Sequence, residues 1–190
     1  MNNSKTAAAL LSSCLFGLGF AAQSALADDD DHHRVRAKLS GYEEVHFVAG
    51  PPAALRGAVS TRARGTFRAT IDEDGQSIKY RLTYGGLEGN VTQAHIHFGQ
   101  RSTVGGIVVW LCQTAAAPGP AGTPVCPAEG TVEGTITPGQ VLTVARQGIV
   151  AGEFDELVRA IRAGAAYANV HSSLHGAGEI RGQISGRDDD

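Results

Sequence analysis

The chain is poor in the residues that build several common kinds of functional site. Of its 190 residues only three are cysteine, one is tryptophan and one is methionine, and aromatic residues make up 6%. No two cysteines have the C-x-x-C spacing of a zinc or thiol-redox site. We therefore expect neither a cysteine-based metal centre nor thiol-redox chemistry.

An excess of charge of one sign is also missing. Residues 34–187 hold 15 Lys and Arg against 12 Asp and Glu, and the whole chain has a formal net charge of −3. Nucleic-acid-binding proteins usually carry a basic helix or a basic patch interleaved with aromatic residues, and this sequence has neither. No nucleic-acid partner is expected.

Familiar catalytic patterns are absent as well. No serine lies in the glycine pattern of a nucleophile elbow, and no close pair of acidic residues indicates a glycosidase. The pairs Gly85-Gly86 and Gly105-Gly106 lie between expected strands, without the strand-to-helix setting of a phosphate site. These absences favour a non-catalytic protein.

Residues 1–27 have the three parts of a secretory signal peptide. Lys5 supplies the positive start, residues 7–22 are uncharged and largely apolar, and residues 25–27 are the small-x-small pattern that signal peptidase requires. The apolar run is too short to span a membrane. Residues 11–14, which end at Cys14, loosely resemble a lipoprotein signal, but the apolar run continues past that cysteine. We expect a periplasmic or secreted protein with no membrane span after cleavage.

The rest of the chain divides into one domain and two short tails. Residues 28–33 form an acidic tail that ends in two histidines, residues 34–186 form the domain, and residues 187–190 form a second acidic tail. Cys112 and Cys126 enclose a segment rich in proline and glycine. In an exported protein this pair predicts a disulfide bond that closes the loop between them.

Alternation of apolar and polar residues predicts a domain made mostly of β-strands. Phe67, Ala69 and Ile71 alternate with polar residues, and residues 78–84 do the same after the turn at 72–75, which predicts a β-hairpin. Further strands are expected at 34–40, 91–98, 106–112, 130–136, 141–145, 166–171 and 179–185.

Two segments depart from this alternation. Residues 41–57 lack a clear pattern and contain two adjacent prolines, so we expect a loop or an irregular edge there. Apolar residues at helical spacing between Gly152 and Gly164 predict one short helix, about residues 153–163. Many short strands with a single helix favour an all-β fold, a β-sandwich or a Greek-key barrel.

Three of the expected strands carry a row of polar side chains on one face, because residues two apart in a strand point the same way. Imidazole rings suit copper and zinc. The candidate metal ligands are the histidines of two rows and of the loop that follows: His95, His97, His171 and His175. The remaining polar residues, expected to form a structural network beside the histidines, are Asn169, Glu179, Arg181 and Gln183.

These motifs resemble the CHRD domain, a family first named in chordin and widespread in exported bacterial proteins. The resemblance rests on AHIHFG at 94–99, GGIVVWLC at 105–112 and AYANVHSSLHGAGEIRGQI at 166–184, with LSGYEEV at 39–45 as a further match. The chain departs from the family where prolines usually follow the glutamate of the first motif. The resemblance implies an immunoglobulin-like or superoxide-dismutase-like β-sandwich, and it implies little about function.

Three functions remain open at this point. The first is an exported binding or scaffold module that contacts a protein or a cell-surface ligand and binds copper or zinc through the histidine cluster. The second is a copper-dependent redox enzyme, since the His-x-His pair is similar to the copper site of copper/zinc superoxide dismutase, although that enzyme's zinc loop has no counterpart here. In the third, a structural surface protein, the histidines form only a buried polar network.

Overall fold

The computed structural model describes residues 33–48, 54–74 and 76–186. Those residues form eleven strands and one α-helix. In chain order the elements are β1 (Arg34–Ser40), β2 (Val45–Val48), β3 (Ala54–Gly57), β4 (Arg64–Asp72), β5 (Ser77–Gly85), β6 (Val91–Phe98), β7 (Gly106–Gln113), β8 (Gly130–Ile136), α1 (Phe154–Arg162), β9 (Ala166–Ser172), β10 (Ile180–Gln183) and β11 (Ser185–Gly186).

Nine of the strands form one antiparallel sheet. Eight follow the order β7-β6-β9-β10-β1-β4-β5-β8, and the short β11 pairs with β1 beside β10. The two end strands, β7 and β8, approach each other, so the sheet rolls into a nearly closed barrel. The expected all-β class with one short helix is confirmed.

The barrel interior holds the apolar residues that alternate along the strands. Phe67, Ala69 and Ile71 of β4 are buried, whereas Arg68 and Thr70 between them are exposed. The same alternation runs along β1 and β5. One hydrogen bond joins opposite ends of the strand order: the hydroxyl of Tyr80 on β5 donates to the carbonyl oxygen of Leu111 on β7 at 2.6 Å.

The gap between β7 and β8 is narrowed by the segment that leads into β8. Cys112 and Cys126 form a disulfide bond. Beside the disulfide, the backbone amide of Cys126 donates to the carbonyl oxygen of Gln113 at 2.8 Å. The hydroxyl of Tyr84 donates to the carbonyl oxygen of Pro127 at 2.5 Å. The disulfide therefore belongs to the closure of the barrel.

Helix α1 covers one end of the barrel. Its buried side chains include Phe154, Leu157 and Ile161, which join the core, as their helical spacing predicts. At its last turn, the guanidinium of Arg162 bonds to the carboxylate of Glu73 in the turn between β4 and β5. The helix thus reaches across the barrel mouth from the start of β9.

Two expected elements differ from the structure. Residues 41–57, expected as a loop or an irregular edge, contain a 3₁₀ turn at Gly41–Glu43 and the strands β2 and β3, which among the described residues form a separate two-stranded sheet. Residues 141–145, expected as a strand, form a single β-bridge between Val144 and Ile149. Val141 and Val144 are buried, but at a spacing of three their side chains reach the core from a loop.

The expected signal peptide (1–27), residues 28–32 of the N-terminal tail and the C-terminal tail (187–190) lie outside the described residues. Within the part of the chain that is described, no helix is long and apolar enough to cross a membrane.

Candidate functional site

The candidate site lies on the outer face of the barrel, where β6, β9 and β10 are adjacent. In this region the strands are buried on both faces, because loops cover the side that elsewhere meets solvent. The register places His95 of β6 opposite Asn169 of β9, and Gln93 opposite His171. The alternation that directs Ala94 and Ile96 into the barrel therefore directs the histidines into a covered outer layer.

Three histidines meet in this layer. His95, His97 and His171 are each buried, and one ring nitrogen from each lies within 4.8 Å of the others. The ring centroids of His95 and His171 are 4.9 Å apart, and those of His95 and His97 are 5.4 Å apart. We call these three residues the histidine triad.

Backbone carbonyls fix the proton on two rings of the triad. The Nδ1 atom of His97 lies 2.9 Å from the carbonyl oxygen of Gly105, and the Nδ1 atom of His171 lies 3.0 Å from that of Gly176. A carbonyl oxygen only accepts, so Nδ1 carries the proton in both rings, and in the neutral form of each ring Nε2 carries a lone pair. Gly105 must be a glycine, because a Cβ there would lie 1.9 Å from the carbonyl oxygen of Phe98.

Two nitrogens of the triad have no hydrogen-bond partner. The Nε2 atoms of His95 and His97 are buried and unpaired within the described part of the chain. Burial, helped by the neighbouring imidazoles of His171 and His97, lowers the pKa of His95 to about 2. Burial also lowers the pKa of His97 to about 4, against the opposing hydrogen bond to Gly105. Both rings are neutral at physiological pH, which is the form that binds metal ions.

Two aromatic residues that sequence reasoning did not single out pack against the triad. The ring of Trp110 on β7 meets that of His95 edge-on at 4.3 Å, and the ring of Tyr167 on β9 stacks on that of His97 at 4.8 Å. Each faces its histidine across a pair of neighbouring strands. Strand order was not readable from the sequence, so no signal there pointed to these contacts.

Arg181 holds the loop that covers the triad. Its guanidinium lies 3.4 Å from the ring centroid of Tyr167 and donates to the carbonyl oxygens of Thr103 (2.6 Å) and Gln100 (3.0 Å). Gln183 extends this role, because its amide donates to the carbonyl oxygen of Gly99 at 2.9 Å. These two residues pin residues 99–105 to the strands beneath.

Asn169 and Glu179 anchor other covering segments. The amide of Asn169 donates to the carboxylate of Glu44 at 2.6 Å, next to the 3₁₀ turn. The carboxylate of Glu179 accepts from the hydroxyl of Thr61 and the backbone amide of Glu88, both at 2.8 Å. The polar residues expected as one network around the histidines therefore bond mainly to loops.

His175 lies apart from the triad. Its Nε2 atom is 3.1 Å from a carboxylate oxygen of Glu88, and Glu179 completes a second group of metal-type side chains there. The loop after β9 turns back to pair with Glu88, which takes His175 away from His171. Of the four candidate ligands, the fold brings three together.

The comparisons with known proteins identify the family and nothing closer. No curated protein and no solved structure matches the chain. The model of the CHRD domain matches residues 35–184, which run from the second residue of β1 to the end of β10 and include the whole histidine triad. The chain therefore belongs to the CHRD domain family.

Proposed function

We propose that this CHRD domain is an exported binding protein that holds one copper or zinc ion through the imidazoles of His95, His97 and His171. Two of these rings donate their Nδ1 proton to a backbone carbonyl. Histidines that ligate metals in proteins almost always donate their other N–H in this way, which fixes the tautomer and orients the ring. His97 and His171 have that arrangement before any ion is bound.

The observation that carries the proposal is the pair of unpaired nitrogens, Nε2 of His95 and Nε2 of His97. An unsatisfied buried polar atom costs about 1–3 kcal/mol. In a histidine cluster that served only the fold, nothing would ever offset that cost. Metal binding uses the lone pair of His97 directly and offsets part of the cost.

Burial of the triad favours binding over catalysis. The exposed fractions of His95, His97 and His171 are 0%, 8% and 5%. Such enclosure leaves little surface for a substrate to reach an ion bound there.

The second candidate is a copper-dependent redox enzyme of the dismutase type. The number of protein ligands favours this enzyme: the triad supplies three, and catalytic metal sites typically have three protein ligands and a fourth position open to water or substrate.

Export is the second part of the proposal. Its support is the signal pattern of residues 1–27 together with the disulfide bond between Cys112 and Cys126, a bond that persists in oxidising compartments. The mass of the protein recovered outside the cytoplasm tests it. A chain that begins at Asp28 supports export, and a full-length chain found only in the cytoplasm contradicts it.

The metal proposal is tested by titration of the untagged protein with Cu²⁺ and Zn²⁺. The tail histidines are first removed as His32→Gln and His33→Gln, so that they do not contribute. Trp110 is the only tryptophan of the chain and contacts His95, so its fluorescence reports Cu²⁺ binding directly. We expect one ion per chain. An ion present at 100 times its Kd stabilises the fold by about 2.7 kcal/mol, a rise in Tm of roughly 5–10 °C.

The matched variants are His97→Gln, inside the triad, and His175→Gln, outside it. We expect the first to weaken metal binding at least 100-fold and the second to change it less than twofold. Absence of binding in the parent protein, or an equal loss in both variants, would overturn the proposal. Superoxide turnover by the copper-loaded protein would support the redox enzyme over the binding protein.

A further inference from the structure

A second feature lies on the other side of the barrel, on the outward face of β1, β4 and β5. Along each of these strands the inward residues belong to the core and the outward residues are polar. Seven of the outward residues are basic, and they are Arg34, Arg36, Lys38, Arg64, Arg68, Lys79 and Arg81. We call this surface the basic face.

The register places positive charges directly beside one another. Arg36 of β1 lies opposite Arg68 of β4, and Arg68 lies opposite Arg81 of β5. The row ends at Glu133 of β8, whose carboxylate bonds to Arg81. Like charges directly opposite in a sheet are destabilising. Core packing does not require this row, since these side chains point outward.

The residues between the charges are hydroxylated. Outward positions on β4, β5 and β8 carry Thr66, Thr70, Thr83, Thr131 and Thr135. The outward residues of these four strands include no aromatic side chain and no large apolar one. The face therefore has nothing on which a nucleic-acid base would stack, and nothing that would insert into a lipid bilayer.

The charges form a grid of regular spacing. Neighbouring strands are about 4.8 Å apart, and alternate residues along one strand are about 6.8 Å apart. A polymer with a charge on each repeating unit can contact several of these positions at once, whereas a small anion contacts one or two. Because the chain as a whole has a net charge of −3, such binding needs this local surface and does not follow from overall charge.

From these observations we propose that the basic face binds an anionic polysaccharide. Arginine and lysine side chains would pair with its carboxylate or sulfate groups, and the threonine hydroxyls would bond to its sugar hydroxyls. This inference does not depend on the histidine triad, which lies on β6 and β9, outside the strands of the basic face. A ligand of this chemistry would attach the barrel to a cell surface or matrix.

The test measures binding of the full chain to dextran sulfate and to alginate in 0.15 M NaCl, with neutral dextran of the same length as reference. The test variant is Arg68→Gln/Lys79→Gln/Arg81→Gln, all at exposed positions where substitution leaves the fold nearly unchanged. The matched control removes three exposed charges elsewhere, as Arg62→Gln/Arg146→Gln/Arg159→Gln. Both variants carry the same net charge.

We expect the parent protein to bind at least one of the two anionic polymers and not neutral dextran. The basic-face variant should bind at least tenfold more weakly, whereas the control should stay within twofold of the parent. Binding to sulfate-bearing but not carboxylate-bearing polymer, or the reverse, supports the proposal and identifies the group recognised. Three results overturn it: no binding to either polymer, an equal loss in both triple variants, or tighter binding to single-stranded DNA or to anionic lipid vesicles.

Discussion

The Nδ1 atom of His95 lies 3.2 Å from the Nε2 atom of His171. The Nδ1 proton of His171 is held by the carbonyl oxygen of Gly176, so Nε2 of that ring has only a lone pair to offer. In the metal-free protein His95 therefore donates its Nδ1 proton to His171. A metal ion that binds His171 through Nε2 takes the same lone pair, so the ion and the His95 proton compete for it.

The first prediction concerns acid stability of the metal-free protein. The pKa of His95 falls to about 2 and that of His97 to about 4 on folding. In the unfolded chain both histidines have the ordinary pKa of 6.5. Below that pH the unfolded chain therefore binds protons at these rings that the folded chain does not bind. The free energy of unfolding therefore falls as the pH decreases. Between neutral pH and pH 4.5 the two rings together lower it by about 5 kcal/mol.

Urea unfolding in EDTA at pH 7.5, 6.0 and 4.5 measures this loss. His97→Gln removes one of the two titrating rings, so its free energy of unfolding should depend less steeply on pH than that of the parent. Val125→Ala, at an exposed and uncharged residue, should keep the parent slope. A free energy of unfolding that stays constant between pH 7.5 and 4.5 would show that the triad is not buried as described.

Period-two alternation made much of the barrel predictable. The bounds of β1, β6 and β8 were predicted to the residue, and helix α1 to within one residue at each end. In these elements the apolar residues of one face pack into the core, so their sequence pattern and their environment agree. β2 and β3 were not predicted because they pair only with each other and their four residues give too short a pattern.

The candidate site was predictable in part, for a different physical reason. Residue spacing showed that His95 and His97 share a face, and the fold adds His171 because β9 lies next to β6. The position of His175 depends on how a loop turns, which its sequence does not encode by periodicity. The basic face was not predictable from the sequence either, because its charges come from three strands and become neighbours only through the register of the sheet.

The second prediction concerns Arg181, which is nearly fully buried. Its planar guanidinium bonds to two loop carbonyls and lies over the ring of Tyr167. The ammonium of lysine cannot reproduce that fork geometry. We expect Arg181→Lys to lower the free energy of unfolding by about 2–4 kcal/mol, since the carbonyl oxygen of Thr103 loses its donor and the buried cation loses hydrogen bonds. The amide of Gly105, which donates to the Tyr167 hydroxyl at 3.1 Å, should exchange hydrogen faster.

Urea denaturation and hydrogen exchange together check this prediction. Arg64→Lys is the matched control, because Arg64 also donates to two backbone carbonyls but is exposed, and its loss should stay below about 1 kcal/mol. An unchanged unfolding midpoint for Arg181→Lys would mean that the loop over the triad is held by other contacts.

The third prediction concerns the closure of the barrel. Cys112 and Cys126 are 14 residues apart, and in the chain-entropy model a closed loop of roughly that length stabilises the fold by about 3 kcal/mol. We expect Cys112→Ser/Cys126→Ser to lower the free energy of unfolding by that amount while the barrel still folds. Reduction of the parent with dithiothreitol should reproduce the loss, and Val125→Ala, at an exposed side chain inside the loop, should not.

The segment beside the disulfide sharpens this prediction. The amide of Cys126 and the hydroxyl of Tyr84 both bond to backbone carbonyls there, so part of the closure survives without the sulfur–sulfur bond. Hydrogen exchange of the Cys126 amide, which donates to Gln113, should therefore accelerate in the double-serine variant without reaching the rate of a free loop. Exchange at the free-loop rate would show that the disulfide alone holds β7 to the segment before β8, and that the backbone pairing follows from it.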